Sequence, residues 1–224
     1  MTTQPRTVET FRLVLPAAVI SLVVTLLRLA GELGRWSEPW FSRATGGVTP
    51  SGVSWIVGIT WLPVPFGIYF AYELAQEGLG PRSPGRALGV ALAGLGLGLG
   101  GTWLAQRSGV GFPQVLVLLW LAMAAAGALQ WWGWPELTKL LLVYGYAARL
   151  PVAIVMFLAM LGGWGTHYDY ADWPAQLALP FGSRFLWLAF FPQLVFWVGF
   201  TLVLGALAGA LTALVLRGRR VGGG

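Results

Sequence analysis

Long apolar stretches recur along this chain of 224 residues and are separated by short breaks rich in polar residues, glycine or proline. A helix needs roughly 20 apolar residues to cross a hydrocarbon core about 30 Å thick. Only helices and closed barrels satisfy their backbone hydrogen bonds in that medium. The sequence therefore predicts an all-α, polytopic transmembrane helical bundle, with 1–224 forming a single integral membrane domain. The predicted spans are about 13–30, 53–74, 87–105, 115–131, 136–161 and 193–216.

The balance of charged and apolar side chains excludes most other classes of protein. Charged residues make up 10% of the chain and hydrophobic residues 57%, whereas soluble domains carry about 25% charged residues. The net charge of +6 comes from scattered basic residues and from one cluster, Arg217, Arg219 and Arg220, after the last apolar stretch. That distribution is typical of cytoplasmic anchoring beside a lipid bilayer. It does not form the basic face of a nucleic-acid-binding module.

The basic residues also predict how the bundle is oriented. An even number of about six spans places both termini on one side, which receives Arg6, Arg12, Arg82, Arg86, Lys139, Arg217, Arg219 and Arg220. The opposite side receives Arg28, Arg35, Arg43, Arg107 and Arg184. The side richer in Lys and Arg is cytoplasmic. Arginine-rich, lysine-poor composition is typical of GC-rich bacterial genomes, so we expect a multi-pass protein of the bacterial inner membrane with both termini in the cytoplasm.

Prolines interrupt three of the predicted helices. Pro63 and Pro65 lie in the middle of the second span, Pro151 in the fifth and Pro192 near the start of the last. Because proline lacks an N–H and collides with the carbonyl one turn earlier, it kinks or ends a helix. We expect helices 2, 5 and 6 to be kinked, with Pro192 separating an interfacial segment, 185–191, from the sixth span.

Arg149 is the leading candidate for a functional residue because it lies near the middle of the fifth span. A charge at that depth costs roughly 2.5–3.5 kcal/mol on insertion scales, so it faces the bundle interior and has a partner. A structural role would be an ion pair, or bonds to carbonyls freed by Pro151. A functional role would be a solute site, since helices broken by residues such as Pro63 and Pro65 line such sites in transporters.

Three more polar side chains are candidates for the same site. Tyr69 and Glu73 share one face at the cytoplasmic end of the second span, and Tyr146 lies one turn before Arg149. Together they predict a polar track towards Arg149. The alternative for Tyr69 and Glu73 is anchoring at the membrane interface.

The loop after the fifth span contains the single histidine and both aspartates of the chain. His167, Asp169 and Asp172, with Thr166 or water, are weak candidates for metal ligands, because their spacing matches no established metal-binding pattern. The favoured alternative is that His167 forms a hydrogen bond within a packed aromatic loop. No cysteine is present, which excludes disulfides, thiolate metal sites and thiol nucleophiles.

Small residues at a spacing of four indicate close helix contacts. Gly94 with Gly98 and Gly205 with Gly209 have this spacing, which lets helix backbones approach in lipid. They predict either packing within the bundle or a face for a homo-oligomer or a partner membrane protein. Arg28 and Glu32, one turn apart in the first span, are expected to form a local structural ion pair.

These features favour a small transporter or channel-like protein for an anionic or carboxylate-bearing solute, without a cofactor. The predicted solute site comprises Arg149, Tyr146, Pro63, Pro65, Tyr69 and Glu73. The alternative is a non-catalytic accessory or scaffold subunit, for which we expect a dry core. An enzyme acting within the membrane would need a convergent set of acid, base or nucleophile, and only the loop around His167 offers the beginnings of one.

Overall fold

The computed structural model of this protein describes residues 9–44, 53–169 and 179–222. All regular structure in these ranges is helical. Five helical segments are long and apolar enough to cross a membrane: Thr10–Leu33, Pro84–Arg107, Phe112–Trp132, Pro135–Gly162 and Phe181–Gly218. Their outer faces expose large apolar side chains such as Val23, Leu99 and Ile154, which a bilayer covers. The fold is an all-α, polytopic transmembrane bundle, which confirms the predicted fold class.

The helices are numbered in chain order. They are α1 (Thr10–Leu33), α2 (Pro63–Gln76), α3 (Pro84–Arg107), α4 (Phe112–Leu129), α5 (Pro135–Gly162), α6 (Phe181–Phe185) and α7 (Trp197–Gly222). Short 3₁₀ turns occupy Ser54–Val57, before α2, and Gln130–Trp132, directly after α4.

The expected second span, 53–74, is helical only from Pro63 onward. At 14 residues, α2 is about 21 Å long and too short to cross a bilayer alone. Pro63 and Pro65 occupy its first turn, where a missing N–H costs nothing. The N–H groups of Val64 and Phe66 donate to Trp61 and Leu62 at 3.1 Å each. The two prolines therefore begin the helix instead of kinking it, and they remove donors that would otherwise lack partners.

Pro192 does not divide the last apolar stretch, contrary to expectation. The helix is continuous over Phe181–Gly218, with π-helical segments at Leu186–Phe190 and Pro192–Phe196. A π turn adds one residue to the hydrogen-bonded backbone ring. The helix therefore continues through proline although that residue has no N–H to donate. Pro151 likewise lies inside α5, which continues beyond it to Gly162.

Helix α7 packs at the centre of the bundle and contacts α2, α3, α4 and α5. At its crossing with α2, a Cβ on Gly67 would overlap the backbone of Gly205. At its crossing with α4, a Cβ on Gly199 would overlap the carbonyl of Met123. These backbones can approach so closely only because glycine occupies the crossings.

The GxxxG glycines proposed for a partner face lie inside the bundle. Gly94 and Gly98 of α3 face Gln130 and Met123 respectively, while Gly205 and Gly209 of α7 face leucines of α5. Packing within one chain occupies these surfaces, which favours the alternative of packing within the bundle. The sequence could not distinguish packing within the bundle from contact with a partner, because the glycine spacing is the same in both cases.

Contacts between helix ends define the direction of the chain. The Trp134 indole before α5 donates to the Leu79 carbonyl after α2 at 3.0 Å. At the opposite end, the His167 N–H after α5 donates to Glu32 of α1 at 2.9 Å. Helix α1 therefore runs parallel to α5, and α2 runs antiparallel to both. The irregular segment 58–62 and α2 together take the chain back across the bundle.

We expect Gly67→Ala to destabilise the protein by roughly 1–3 kcal/mol, the usual cost of overpacking a tight contact. The new methyl group would separate α2 from α7 at Gly205. The matched control is Gly96→Ala in α3, where a Cβ has open space around it, and where alanine stabilises a helix by up to about 1 kcal/mol. Thermal unfolding in detergent, followed by circular dichroism, measures both. Equal midpoints for the two variants would contradict the assigned crossing.

Candidate functional site

A cavity of about 590 Å³ lies between α1, α5, α7 and the irregular segment before α2. Its walls are mainly aromatic and aliphatic, and its polar groups lie on separate elements. Thr25 and Arg28 come from α1, Arg149 from α5, and Gln193 from the π-helical segment. The volume falls within the range of small-molecule sites, about 300–1,000 Å³.

Arg149 reaches this cavity from the middle of α5 and is 4% exposed. Its Nη1 donates to Oε1 of Gln193 at 3.4 Å, which is a long hydrogen bond. Its Cζ lies 4.8 Å from the centre of the Trp197 ring, a cation–π contact. The Nε atom has no acceptor among the described residues, and none of the ion pairs in these ranges includes Arg149. The guanidinium is therefore a buried cation without a counter-charge in the described part of the chain.

Gln193 is a site residue that the sequence analysis missed. It is 6% exposed, and its Nε2 donates to Sδ of Met156 at 3.4 Å. The π turn at Pro192–Phe196 sets the side of the helix on which Gln193 emerges. The sequence feature that could have identified Gln193 is its amide, because polar side chains inside an apolar span are rare and face the interior of the bundle.

The second arginine of the cavity, Arg28, is neutralised by Glu32. Its Nε donates to Oε1 of Glu32 at 2.9 Å, as the one-turn spacing predicts. Its Nη1 donates to the carbonyl of Ser54 at 3.2 Å, which joins α1 to the 3₁₀ turn. Glu32 is 1% exposed and accepts from the backbone and ring of His167 as well. This carboxylate therefore holds the turn at Ser54–Val57 and the loop after α5 in place.

Two of the candidate metal ligands, His167 and Asp169, are engaged in hydrogen bonds within the protein. His167 pairs with Glu32 and packs on Tyr168, while Asp169 accepts from the Gly165 N–H at 2.7 Å. Burial lowers the pKa of the His167 ring, although the hydrogen bond to Glu32 opposes this. A neutral ring then donates Nδ1–H to the carboxylate. Asp172 lies outside the described residues, and within them no three acidic or histidine side chains gather as a metal site.

The remaining predicted site residues do not line the cavity. Tyr146 lines a separate groove together with Trp131 and Leu194. Tyr69 lies near the charges of Glu73 and Arg12, at the end of the bundle where α1 begins. These positions are consistent with the interfacial alternative for Tyr69 and Glu73.

Pro63 and Pro65 contribute through the helix they begin, since their neighbours Trp61 and Val64 line the cavity. Tyr144, half a turn from Tyr146, is the tyrosine that faces the interior, and its hydroxyl lies 3.0 Å from that of Ser21. Helical spacing alone did not show which of the two tyrosines points inward.

Comparison with protein-family models, with curated proteins and with solved structures finds no match to this chain. The class of the protein therefore rests on its fold and its cavity. It is a multi-pass α-helical membrane protein with a buried arginine beside a cavity, and no counter-charge to this arginine lies among the described residues.

Replacing Glu32 by alanine would leave Arg28 and His167 without their acceptor. Loss of one partner of a buried pair costs roughly 3–5 kcal/mol, so we expect a fall of that size in unfolding free energy and faster proteolysis around 163–169. The control Glu38→Ala removes an exposed carboxylate that accepts a hydrogen bond from Ser42. If the two variants match in stability and protease sensitivity, Glu32 does not hold the loop.

Arg149→Met should stabilise the protein while preserving the shape of the side chain. The charge costs roughly 2.5–3.5 kcal/mol at this depth, and the cation–π contact returns about 2 kcal/mol at most. We expect a net gain of roughly 1 kcal/mol, measured as the unfolding midpoint in neutral detergent. A large loss of stability would show instead that Arg149 is a structural element with a partner.

Proposed function

We propose that this protein is a small transporter or channel-like protein that binds an anionic or carboxylate-bearing solute at Arg149. The observation that carries the proposal is the combination of a buried guanidinium, an adjoining cavity and no counter-charge among the described residues. Burial of an unpaired cation in a membrane protein costs free energy. A cation that is buried without stabilising the bundle is typical of a solute-binding site.

The charge balance of the cavity supports an anion. Among the described residues that line it are Arg28 and Arg149 but neither Asp nor Glu. Glu32 forms an ion pair with Arg28, so the described part of the chain leaves one net positive charge, at Arg149. Because electrostatic interactions are strong where water is scarce, the site repels cations and attracts anions.

The backbone around the cavity supports passage of the solute rather than binding alone. Residues 58–62 are irregular at the depth of a transmembrane bundle, and such backbone is tolerated only where protein or a cavity covers it. The positive end of the α2 dipole begins at the same place, as in transporters with discontinuous helices. A non-catalytic accessory subunit, the alternative function, is expected to have a dry core, and the polar groups that line the cavity around Arg149 argue against it.

We also propose that both termini lie in the cytoplasm and that the membrane is the bacterial inner membrane. The helix directions support the placement of both termini on one side of the membrane. From their crossing at Gly67 and Gly205, α2 and α7 run in parallel towards the end of the bundle where α1 begins. The excess of basic residues near the termini then favours the cytoplasmic side.

The proposal predicts that carboxylate binding depends on Arg149. Isothermal titration of the protein in neutral detergent with acetate, octanoate and suberate should detect at least one ligand whose affinity falls roughly tenfold or more in Arg149→Gln, since hydrogen bonds to charged groups are worth about 1.5–3 kcal/mol. Arg149→Lys should retain part of the affinity because it keeps the charge but loses the planar donors.

The matched control is Arg107→Gln. It removes the same charge from a similar arginine–tryptophan pair, with Cζ 4.5 Å from the Trp103 ring, but outside the cavity. Flux of the bound acid into proteoliposomes near pH 8, where carboxylates are ionised, should exceed that of protein-free liposomes and fall in Arg149→Gln only. Binding without such flux would reject transport, and equal losses in both variants would reject the site.

A further inference from the structure

We infer that the ligand is a monoanion with a sizeable apolar body, whose charged group lies at Arg149 and whose body extends along the apolar end of the cavity. This inference rests on the proposed function and defines its substrate class. Three observations lead to it: the number of uncompensated charges, the free donors of Arg149, and the chemistry of the walls on either side of that residue.

The charge at the site matches a single negative charge. Of the two arginines in the lining, Arg28 already binds the buried carboxylate of Glu32, which leaves Arg149. A dianion would bring a second negative charge into a cavity whose described lining has no further unpaired cation to meet it. An unpaired buried charge is among the most costly groups in a protein interior. The site therefore selects monoanions over dianions of the same length.

Arg149 also has the hydrogen-bonding capacity that a carboxylate needs. Of the five donors of a guanidinium, one has an acceptor among the described residues, Oε1 of Gln193. Trp197 covers a face of the guanidinium, which leaves its edge for in-plane hydrogen bonds. A carboxylate is the ordinary partner for such an edge because its two oxygens match two parallel donors.

The two ends of the cavity differ in polarity. On one side of Arg149 lie Thr25, Arg28, Ser54 and His167, which belong to the end where α1 and α5 terminate. On the other side, Phe200 and Leu204 follow Trp197 along α7, and Val64, which is 41% exposed, lines the same cavity from the first turn of α2. A ligand that binds Arg149 thus meets hydrogen-bonding groups in one direction and hydrocarbon walls in the other.

The size of the cavity requires more than a small inorganic anion. A chloride or phosphate ion at Arg149 would leave most of the 590 Å³ as space between apolar walls, which offer water few partners. An alkyl or aryl body instead removes apolar surface from water at about 25 cal/mol per Å². The substrate class is therefore an amphipathic organic acid such as a medium-chain carboxylate.

A set of matched ligands tests charge and body separately. Octanoate is the probe, octanol its neutral analogue, suberate the dianion of the same chain length, and acetate the monoanion without a body. In isothermal titrations with Arg149→Gln measured in parallel to subtract micelle partitioning, we expect octanoate to bind roughly tenfold or more tighter than each of the other three. Acetate or suberate binding as tightly as octanoate through Arg149 would overturn this inference but retain the proposed anion site. Loss of all Arg149-dependent binding would overturn both.

A cavity-filling variant locates the apolar body. Val64→Trp should weaken octanoate binding roughly tenfold while changing acetate affinity little, because the indole occupies the apolar end and leaves Arg149 in place. Val23→Trp is the matched control, since Val23 is exposed on the outer face of α1 and should leave both affinities unchanged. Equal effects of Val64→Trp on the two acids would overturn the placement of the body.

Palmitate is the member of the same class that comes from membrane lipid. Its affinity in nanodiscs, compared with that of octanoate, distinguishes a ligand supplied by the bilayer from one dissolved in water. Tighter binding of either acid through Arg149 supports the inference, and binding of neither overturns it.

Discussion

The structure depends on one property of the hydrocarbon core, the absence of water to satisfy backbone hydrogen bonds. Each N–H and C=O must find a partner within the protein, which is why the described regular structure is helical. The exceptions follow the same rule. Where the chain leaves helical geometry before α2, side chains supply the partners, as when Arg28 donates to the Ser54 carbonyl and the Trp61 indole to that of Ile56. The prolines that begin α2 meet the requirement differently, by carrying no N–H.

The same solvent removes the hydrophobic force that drives packing in water, so helices must associate through close contact. Glycines at the crossings of α7 allow this contact on several sides at once. The bundle is therefore tight along α7 and α2, and the cavity of about 590 Å³ adjoins the irregular segment next to them.

Arg149 differs from Arg28 because no carboxylate among the described residues pairs with it. A long hydrogen bond and a tryptophan ring are its partners among the described residues, and they compensate only part of the cost of burying the charge. By contrast, the Arg28–Glu32–His167 cluster is mutually satisfied and connects three segments of the chain. The two arginines of one cavity thus differ in whether a carboxylate among the described residues pairs with the charge, and this difference is the basis of the binding role proposed for Arg149.

Much of this architecture could be predicted from the sequence, because hydrocarbon imposes length and composition on each span. The fold class, most helix positions and the Arg28–Glu32 pair depend on spacing within one segment, which a sequence displays directly. Arg149 was recognisable for the same reason, as a charge in an apolar stretch. The tertiary structure alone decided which faces meet: that Gln193 rather than Tyr146 accompanies Arg149, that Glu32 binds His167 from 135 positions away, and that the paired glycines are used internally. These outcomes depend on how each helix is rotated about its axis and on the π turn at Pro192. Neither can be read from the hydrophobic periodicity of the sequence. A shift of one residue between two packed helices changes every contact between them and leaves that periodicity intact.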